Sequence, residues 1–267
     1  MSLISDAFQV SGKAAVVTGG GSGIGEATCL VLGEAGVGVV VADIDEAAAE
    51  RTAKQVVANG GRAVAVRSDV AQRKDHDAAV DRAVSEYGGL DIMCNIAGIP
   101  CDSSISDISE TELDRVIAIN LKGVFFGCQA AMQVMKEQRS GAIVNVSSAG
   151  IDVARFGNGI YAMTKAGVAM LSMSLAAEAG PFGIRVNAIA PGATITAFSE
   201  RHKYDEQGNV DEEKWESFVE GMRSMGPLHM VGEAMDQALL ILYLVSPAAK
   251  FATGNIFRVN GGQAMAW

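Results

Sequence analysis

The sequence lacks any dense run of lysine or arginine, and this absence bears on the class of partner. Its 21 Lys and Arg residues stand against 31 Asp and Glu residues, which gives a formal net charge of −10 at pH 7. Proteins that bind a nucleic-acid backbone normally carry a basic face or stripe. We therefore expect no nucleic-acid partner.

Paired cysteines, clustered histidines and long apolar runs are also missing. The four cysteines form no CxxC pair and the three histidines are scattered, so neither a disulfide framework nor a zinc site is indicated. Apolar runs such as residues 238–245 are shorter than the roughly 20 residues that a membrane-spanning helix needs. The first residues do not have the pattern of a signal peptide. We expect a cytoplasmic protein with no metal and no membrane partner.

What the sequence does contain is a regular alternation of apolar, β-branched runs with helix-like segments. The predicted strands are residues 14–18, 38–43, 62–67, 90–95, 142–147, 185–189 and 256–259. The predicted helices between them include residues 46–59, 73–87, 112–139, 161–179 and 233–245. Strands with little apolar–polar alternation are typical of a parallel sheet covered by helices on both faces. The order predicts a three-layer α-β-α fold with a seven-stranded parallel sheet, in one domain spanning residues 1–267.

Residues 193–232 interrupt this alternation. Their centre, residues 201–214, is rich in charge, and large apolar side chains surround it. These side chains are Phe198, Trp215, Phe218, Met222 and Met225. The pattern is typical of a lid over a pocket, and it is equally compatible with a surface helix that packs on its own domain.

A glycine-rich turn follows the first predicted strand. Gly19, Gly23 and Gly25 give the pattern T-G-x-x-x-G-x-G before a helix. Glycine lets backbone N–H groups approach a pyrophosphate at the start of a helix. No Gly-Lys-Ser/Thr follows, which excludes a Walker A loop. The turn is a candidate dinucleotide site, and the alternative is a glycine-rich connection without a ligand.

Asp43 ends the second predicted strand and bears on the choice of cofactor. A carboxylate there can accept hydrogen bonds from both hydroxyls of the adenosine ribose, and it would repel a 2′-phosphate. Ser22 and Ile44 stand where an enzyme that binds the 2′-phosphate more often has a basic residue. We therefore expect NAD in preference to NADP, although Asp43 can instead cap the next helix. Asp69 can bind the adenine amino group or cap a helix.

Tyr161 and Lys165 lie one helical turn apart and share a helix face. A nearby ammonium favours the phenolate, so we expect Lys165 to lower the pKa of Tyr161 toward neutrality and make it a proton donor and acceptor. Ser148 follows the fifth predicted strand, at the edge where open parallel sheets bind ligands. Taken singly, the pair is an ordinary exposed helix face and the serine an ordinary turn residue.

Together these motifs resemble the short-chain dehydrogenase/reductase family, whose members have a Rossmann-type fold. The resemblance covers essentially the whole chain. It rests on the turn at 18–25, the segment 95–98, Asn120, Ser148, Tyr161-x-x-x-Lys165 and Pro191-Gly192. It implies that Tyr161 exchanges a proton with the substrate oxygen, which Ser148 holds. Lys165 would bind the nicotinamide ribose and tune Tyr161. Asn120 would lie at a helix irregularity and hold a water molecule.

The resemblance also implies two sets of binding residues. The cofactor set is Gly19, Ser22, Gly23, Ile24, Gly25, Asp43, Ile44, Asp69, Val70, Asn95, Ala97, Gly98, Tyr161, Lys165, Pro191, Gly192, Thr194 and Thr196. The substrate set is Ser148, Gly150, Ile151, Val153, Phe156, Tyr161 and Phe198. The family usually has Asn at position 96 and Asp at position 260, where this chain has Ile96 and Asn260. These departures put two structural contacts in doubt but do not affect the chemistry.

We therefore expect an enzyme that transfers a hydride between NAD(H) and a secondary alcohol or ketone, hydrophobic or cyclic, such as a steroid-like substrate. The alternative substrate is a 3-oxoacyl thioester on an acyl carrier protein. A non-enzymatic alternative is an NAD(H)-binding sensor or scaffold. A serine hydrolase is set aside because the chain has no G-x-S-x-G elbow. The family resemblance implies a homotetramer, or alternatively a homodimer, formed through the helices near 112–139 and 161–179, with residues 263–267 as a further subunit contact or a pocket rim.

Overall fold

Parallel strands form the main sheet of this computed structural model, which describes residues 3–205 and 207–265. The strands, numbered with two short ones of a second sheet, are Ala14–Thr18 (β1), Gly38–Asp43 (β2), Arg62–Arg67 (β3), Ile92–Asn95 (β4), Gly141–Val146 (β5), Ile184–Ile189 (β6), Thr194–Ile195 (β7), Gly232–Glu233 (β8) and Ile256–Phe257 (β9). The main sheet has seven strands in the order β3-β2-β1-β4-β5-β6-β9. All its strand pairs are parallel. The predicted seven-stranded parallel sheet and fold class are confirmed.

Helices cover both faces of this sheet. The α-helices are Leu3–Ala7 (α1), Gly23–Glu34 (α2), Glu46–Ala58 (α3), Arg73–Tyr87 (α4), Glu110–Ile117 (α5), Gly123–Gln138 (α6), Gly159–Ala179 (α7), Ala197–Glu200 (α8), Glu212–Arg223 (α9) and Ala234–Val245 (α10). One-turn 3-10 helices lie at Ala149–Ile151, Gly180–Phe182, Arg201–Lys203 and Pro247–Ala249. A π-helical turn, Ala118–Lys122, joins α5 to α6.

Neighbouring residues of each strand belong to opposite layers of the core. Val17 of β1 packs with Leu32 of α2 and Ile241 of α10. Val16, the preceding residue, packs in a second cluster with Met135 of α6. Because both faces of the sheet are buried, the strands read as continuous apolar runs, which is why their positions were predictable.

The differences from the predicted elements are confined to boundaries and to one helix. The strand predicted at 90–95 begins at Ile92, and the one predicted at 256–259 ends at Phe257. The single helix predicted at 112–139 is interrupted by the π-helical turn, which contains Asn120. The irregularity implied by the family resemblance is present at that position.

Helix α7 and the one-turn helix after it form an apolar stretch, Gly159–Phe182, that is long enough to span a membrane by length and composition alone. The expectation that no run reaches this length was therefore wrong. Val168 and Ala176 of α7 pack against the sheet in the second core cluster. Core helices of soluble proteins pass the same test, so this stretch alone is weak evidence of a membrane span.

The strand order reverses between β1 and β4, and this reversal positions the site. The chain leaves β1 toward β2 and β3 on one side, and returns at β4 to build the other side. In open parallel sheets such a point leaves a crevice beyond the carboxyl ends of the strands. The glycine-rich turn after β1 lies at this crevice.

Candidate active site

A cavity of about 790 Å³ occupies this crevice. Its lining runs from the turn after β1, along the ends of β2, β4, β5 and β6, to the 193–232 segment and Gln263. Most residues of the two predicted binding sets line it. The exceptions are Asn95 and Ile151.

The turn after β1 forms a close-packed cradle at the start of α2. Gly19 and Gly23 have positive φ angles of 68° and 54°, which glycine adopts without strain. A Cβ at Gly25 would overlap the carbonyl oxygen of Gly19, so no other residue fits there. The free N–H groups of the first turn of α2 point into an anion-binding position. The cradle therefore fits the pyrophosphate of a dinucleotide.

Asp43 lies at the other wall of this cradle. Its Oδ2 accepts a hydrogen bond from the Gly21 N–H at 2.9 Å, and its Oδ1 accepts one from the Asp45 N–H at 3.0 Å. Asp45, whose side chain accepts from the Ala48 N–H, is the N-cap of α3. The alternative in which Asp43 caps this helix was therefore wrong. The Asp43 carboxylate is fixed by the backbone and keeps lone pairs that face the cavity.

Asp69 and Val70 follow β3 at the same end of the cavity. Asp69 Oδ1 accepts from the Ala71 N–H at 3.0 Å, whereas Gln72 is the N-cap of α4. The capping alternative for Asp69 was therefore also wrong. The carbonyl oxygen of Val70 is 2.9 Å from Nε2 of His76, which fixes the backbone beside the cavity.

Asn95 does not line the cavity, and its place in the cofactor set stays a prediction. Its side chain is 2% exposed and donates to Asn145 Oδ1 at 2.8 Å, and Asn145 donates in turn to Ser172 Oγ at 2.9 Å. As the last residue of β4, it points into the sheet and links β4, β5 and α7. Ala97 and Gly98 do line the cavity. At the unusual position Ile96, the backbone N–H donates to Thr18 Oγ1 at 3.1 Å and so still links this segment to β1.

Helix α7 brings Tyr161 and Lys165 into the cavity opposite Ser148. Lys165 Nζ lies 5.7 Å from the centroid of the Tyr161 ring and donates to the carbonyl oxygen of Val146 at 2.9 Å. Ser148 Oγ accepts from the Gly150 N–H at 3.0 Å, which leaves its own proton free to donate. The three side chains line one region of the cavity.

The π-helical turn holds Asn120 beside this group. Asn120 Oδ1 accepts from the Ile99 N–H at 2.8 Å, and Nδ2 donates to the Ile99 carbonyl oxygen at 2.9 Å. A Cβ at Gly98 would lie 3.2 Å from Lys165 Nζ and 3.3 Å from Asn120 Oδ1. The amide and the ammonium are therefore close neighbours across Gly98, and the missing side chain makes room for both.

The expected lowering of the Tyr161 pKa is not observed. Burial raises the pKa of Tyr161 above its ordinary value, and the hydrogen bond with Ser148 and the charge of Arg201 only partly oppose this. Burial also lowers the pKa of Lys165 to about 8. The expectation was wrong because both groups leave bulk water together, and desolvation disfavours each charged form.

The substrate end of the cavity is formed by the loop after β5 and by the 193–232 segment. Gly150, Val153, Phe156 and Phe198 line it, whereas Ile151 does not, and its place in the substrate set stays a prediction. Consecutive side chains of a 3-10 turn point in directions about 120° apart. Gly150 therefore faces the cavity while the next side chain faces away.

The 193–232 segment lies over the cavity. Its two ends pair as the parallel strands β7 and β8. The rings of Phe198 and Tyr161 are 5.9 Å apart. Phe218, Met222 and Met225 also line the cavity, and Trp215 stacks on Phe218 from outside with centroids 5.8 Å apart. The segment packs its apolar side chains against the site.

Thr194 and Thr196 begin this segment next to the glycine turn. Thr196 caps α8 in a reciprocal arrangement with Ser199, and a Cβ at Gly23 would lie 3.1 Å from Thr196 Cβ. Thr194 Oγ1 donates to the Gly192 carbonyl oxygen at 3.0 Å. The start of the segment is thus held against the cradle.

Residues that follow β9 bind both walls of the cavity, the loop after β5 and the start of the 193–232 segment. Arg258 forms a two-point ion pair with Asp152 at 2.7 and 3.0 Å, and Gln263 Oε1 accepts from the Ala193 N–H at 2.7 Å. At the unusual position Asn260, the side chain bonds the Gly262 N–H and the Ala264 carbonyl oxygen, both at 3.0 Å. Residues 266–267, part of the predicted subunit contact, lie outside the described residues.

Several lining residues were not in the predicted sets. Among them are Asp102, Arg115, Arg155, Asn158, Arg201, His202 and Gln263. The charge at 201–214 was visible in the sequence, but nothing in the sequence showed which of these side chains turn toward the cavity.

Known proteins share these features over almost their full length. A sequence model of the family described as short chain dehydrogenase matches residues 13–207. The 3-oxoacyl-[acyl-carrier-protein] reductase of Staphylococcus aureus is 38% identical over 254 residues, which are 95% of this chain and 98% of the relative. Tropinone reductase-like 2 of Erythroxylum coca is 33% identical, covering 96% of this chain and 92% of that protein.

Solved structures have the same architecture. The crystal structure of levodione reductase superimposes with a TM-score of 0.89 at 31% sequence identity, covering 96% of this chain and 99% of that chain. The matched family model includes the glycine cradle, the π-helical turn and the Tyr161–Lys165 pair. With its fold and its sequence both matched in this way, the chain belongs to the short-chain dehydrogenase family of oxidoreductases, which bind a nicotinamide cofactor.

Proposed function

We propose that the protein is an NAD(H)-dependent oxidoreductase that interconverts a secondary alcohol and its ketone. One observation carries this proposal: a single cavity joins Asp43 and the glycine cradle at one end to Ser148, Tyr161 and Lys165 at the other. A binding module would need only the first end. The second end supplies groups that hold an oxygen atom and move a proton.

The chain's own residues account for the acid–base part of the reaction. When bound, the nicotinamide cofactor would supply the carbon that accepts or donates the hydride. With its pKa raised by burial, Tyr161 is a neutral phenol at pH 7 and is ready to protonate a forming alkoxide. Ser148, oriented by the Gly150 N–H, would donate to the same oxygen. One such donor contributes roughly 2.7–4 kcal/mol to transition-state stabilisation in comparable sites.

Lys165 and Asn120 support the phenol in the opposite direction. In alcohol oxidation Tyr161 must lose its proton, and Lys165 Nζ, 5.7 Å from the centroid of the Tyr161 ring, would hold the nicotinamide ribose beside it. The buried Asn120, 0% exposed, lies next to this ammonium and can hold a water molecule that carries the proton onward.

Apolar walls support a hydrophobic or cyclic substrate. Val153, Phe198, Phe218, Met222 and Met225 surround the space in front of Tyr161. We propose that the 193–232 segment is a lid. Its apolar side chains would cover the substrate when the lid closes. The lid would exclude water from the reacting oxygen.

A 3-oxoacyl thioester remains the second candidate substrate. The S. aureus relative, 38% identical, is named as a 3-oxoacyl-[acyl-carrier-protein] reductase. Asp43 weighs against this candidate, because reductive synthesis in the family more often uses NADP. A net charge of −10 also opposes docking of an acidic carrier protein.

Replacement of Tyr161 by Phe tests the mechanism. The variant keeps the ring but loses the proton, so we expect turnover of secondary alcohols with NAD to fall at least about 1,000-fold, within the contribution of acid–base catalysis. NADH binding, followed by fluorescence, should stay within a few-fold of the wild type. Tyr87→Phe, far from the cavity on α4, is the matched control. Near-normal turnover by Y161F would refute the mechanism.

The choice of cofactor has its own test at Asp43. We expect kcat/KM with NAD to exceed that with NADP by about 100-fold, equal to about 2.7 kcal/mol. Asp43→Asn keeps the shape of the side chain and removes its charge, so the ratio should fall below about tenfold. Asp45→Asn removes the same charge two residues away and should leave the ratio unchanged. Equal kcat/KM for both cofactors in the wild type would refute this role of Asp43.

A further inference from the structure

Two arginines of the cavity lining have no role assigned in the proposed reaction, although the charge of Arg201 partly opposes the rise in the Tyr161 pKa. Arg155 lies in the loop between β5 and α7, and Arg201 follows α8 in the lid. Both line the cavity. They approach it from different segments of the chain.

The other charged groups of the lining leave these two arginines as a positive end. Arg115 is held at two points by Glu112, at 2.7 and 2.8 Å. Asp43 and Asp69 lie at the nucleotide end, and Lys165 lies on the floor beside Tyr161. Burial, followed by the charge of Arg201, lowers the pKa of His202, so that it is neutral at pH 7.

Arg155 has no acidic partner. Its guanidinium contacts Met225 Sδ at 3.0 Å, and within residues 3–205 and 207–265 no carboxylate forms an ion pair with it. A cation that faces a cavity without a carboxylate keeps most of its N–H donors available.

Arg201 has one acidic partner, and that partner is weakly held. Asp102 bonds Arg201 at 2.8 Å, but its side chain is 67% exposed. Exposed ion pairs contribute little to stability, so an anionic ligand can compete with Asp102 for Arg201. The guanidinium also lies 4.8 Å from the Phe198 ring centroid, and that ring is 5.9 Å from the ring of Tyr161. Arg201 and Tyr161 thus both lie beside the Phe198 ring, so Arg201 is within about two ring contacts of the reacting phenol.

We propose that Arg155 and Arg201 bind an anionic group, a carboxylate or a phosphate, at the end of the substrate opposite the reacting carbon. This assignment rests on the proposed function, since it names the substrate class of the same site. The two guanidinium groups give charge-assisted, planar donors for such oxygens. The apolar walls of the cavity leave room for a substrate in which about one ring separates the anionic group from the reacting carbon. A chain with a net charge of −10 thereby keeps a local cationic end for an acidic substrate.

Three ketones of similar shape test this subsite. They are 4-acetylbenzoate, 4-acetylphenyl phosphate and the uncharged 4′-methylacetophenone. Binding of each to the protein saturated with NAD⁺ is measured by calorimetry, and reduction of each by NADH is measured separately. The wild type should bind at least one of the two anions about tenfold or more tightly than the neutral ketone, and the tighter anion identifies the group. The preference should shrink as salt is added.

Variants assign the preference to the two side chains. Arg155→Gln and Arg201→Gln should each weaken anion binding about tenfold and change binding of the neutral ketone less than about twofold. Arg223→Gln removes a positive charge from lid helix α9 at a residue that pairs with Glu220 outside the cavity, and it should change neither. Among the described residues Arg155 belongs to no ion pair. The loss of anion binding in R155Q therefore does not depend on the contact between Arg201 and Asp102.

The outcomes separate this inference from the proposed function. Reduction of all three ketones with no anion preference would refute the anionic subsite and leave the proposed function standing. An anion preference that R155Q and R201Q remove, without reduction of any ketone, would support the subsite and count against the proposed function. Equal losses for anion and neutral ketone in both variants would refute the subsite.

Discussion

Lys165 places an ammonium group in the interior, 2% exposed, beside the phenol that it is proposed to assist. Its hydrogen-bond partner is the Val146 carbonyl oxygen, and burial lowers its pKa to about 8. The folded protein therefore holds a cation in a position that disfavours charge. Activity and stability oppose each other at this residue.

Replacement of Lys165 by Met should stabilise the free protein while it abolishes turnover. Because the folded-state pKa lies below the unfolded value of 10.5, the wild type gains stability as pH rises from about 8 toward 10.5 and loses it as pH falls through 8. At pH 7 the variant lacks this cost but leaves the Val146 carbonyl oxygen without its donor. We expect a net gain of roughly 1–3 kcal/mol in the free energy of unfolding at pH 7.

Chemical denaturation at pH 7 and pH 10 measures the effect. Most of the advantage of K165M over the wild type should disappear at pH 10, where the wild-type lysine is neutral in the folded state. Lys136→Met changes an exposed lysine of α6 and should alter stability little at either pH. An advantage of equal size at both values would contradict the assigned pKa.

The strands and helices were predictable wherever one physical pattern controlled them. Strands β1 to β3 agree with the prediction at both ends. β1 and β2 are buried almost throughout and therefore apolar, whereas β3, at the sheet edge, is an apolar run bounded by two arginines. The break between α5 and α6 has no such signal. The sequence around Asn120 is compatible with an uninterrupted helix, and only the family resemblance indicated the irregularity.

Two residues of the predicted binding sets lie beside the cavity lining rather than in it. Asn95 and Ile151 stand next to true lining residues in the sequence, but a one-residue step along a strand or a tight turn reverses or rotates the side chain. Arg155 and Arg201 were missed for the opposite reason. Their place in one cavity depends on how the 193–232 segment packs against the loop after β5, and no local pattern encodes that packing.

At the scale of the whole molecule, one exposed apolar surface bears on assembly. Phe125 of α6 and Met163, Met170 and Met173 of α7 are 43%, 49%, 60% and 43% exposed. Contiguous exposed apolar side chains of this kind mark protein contacts. We propose that this surface joins the subunits of a homotetramer, or alternatively of a homodimer.

We also propose that this acidic protein works in the cytoplasm without a nucleic-acid or membrane partner.

Sedimentation tests the assembly. The wild type should sediment as a tetramer or a dimer at micromolar concentration, and Met170→Glu should shift it toward smaller species because a charge would be buried in the contact. Val57→Glu alters an exposed apolar residue of α3, outside this surface, and should leave the mass unchanged. A wild-type monomer at micromolar concentration would contradict the proposal.

The two side-chain contacts made by residues after β9 also bear on the order in which the protein folds during synthesis. Arg258 holds the loop that carries Ser148, through Asp152, and Gln263 holds the first residue of the lid segment. Both are synthesised after every other part of the cavity. A ribosome that has completed all elements through α10 would therefore carry a nascent chain that lacks the edge strand β9 and both of these ties. The contacts that fix both walls of the ligand cavity can form only after Gln263 has left the exit tunnel of the ribosome, so the cavity would be completed last.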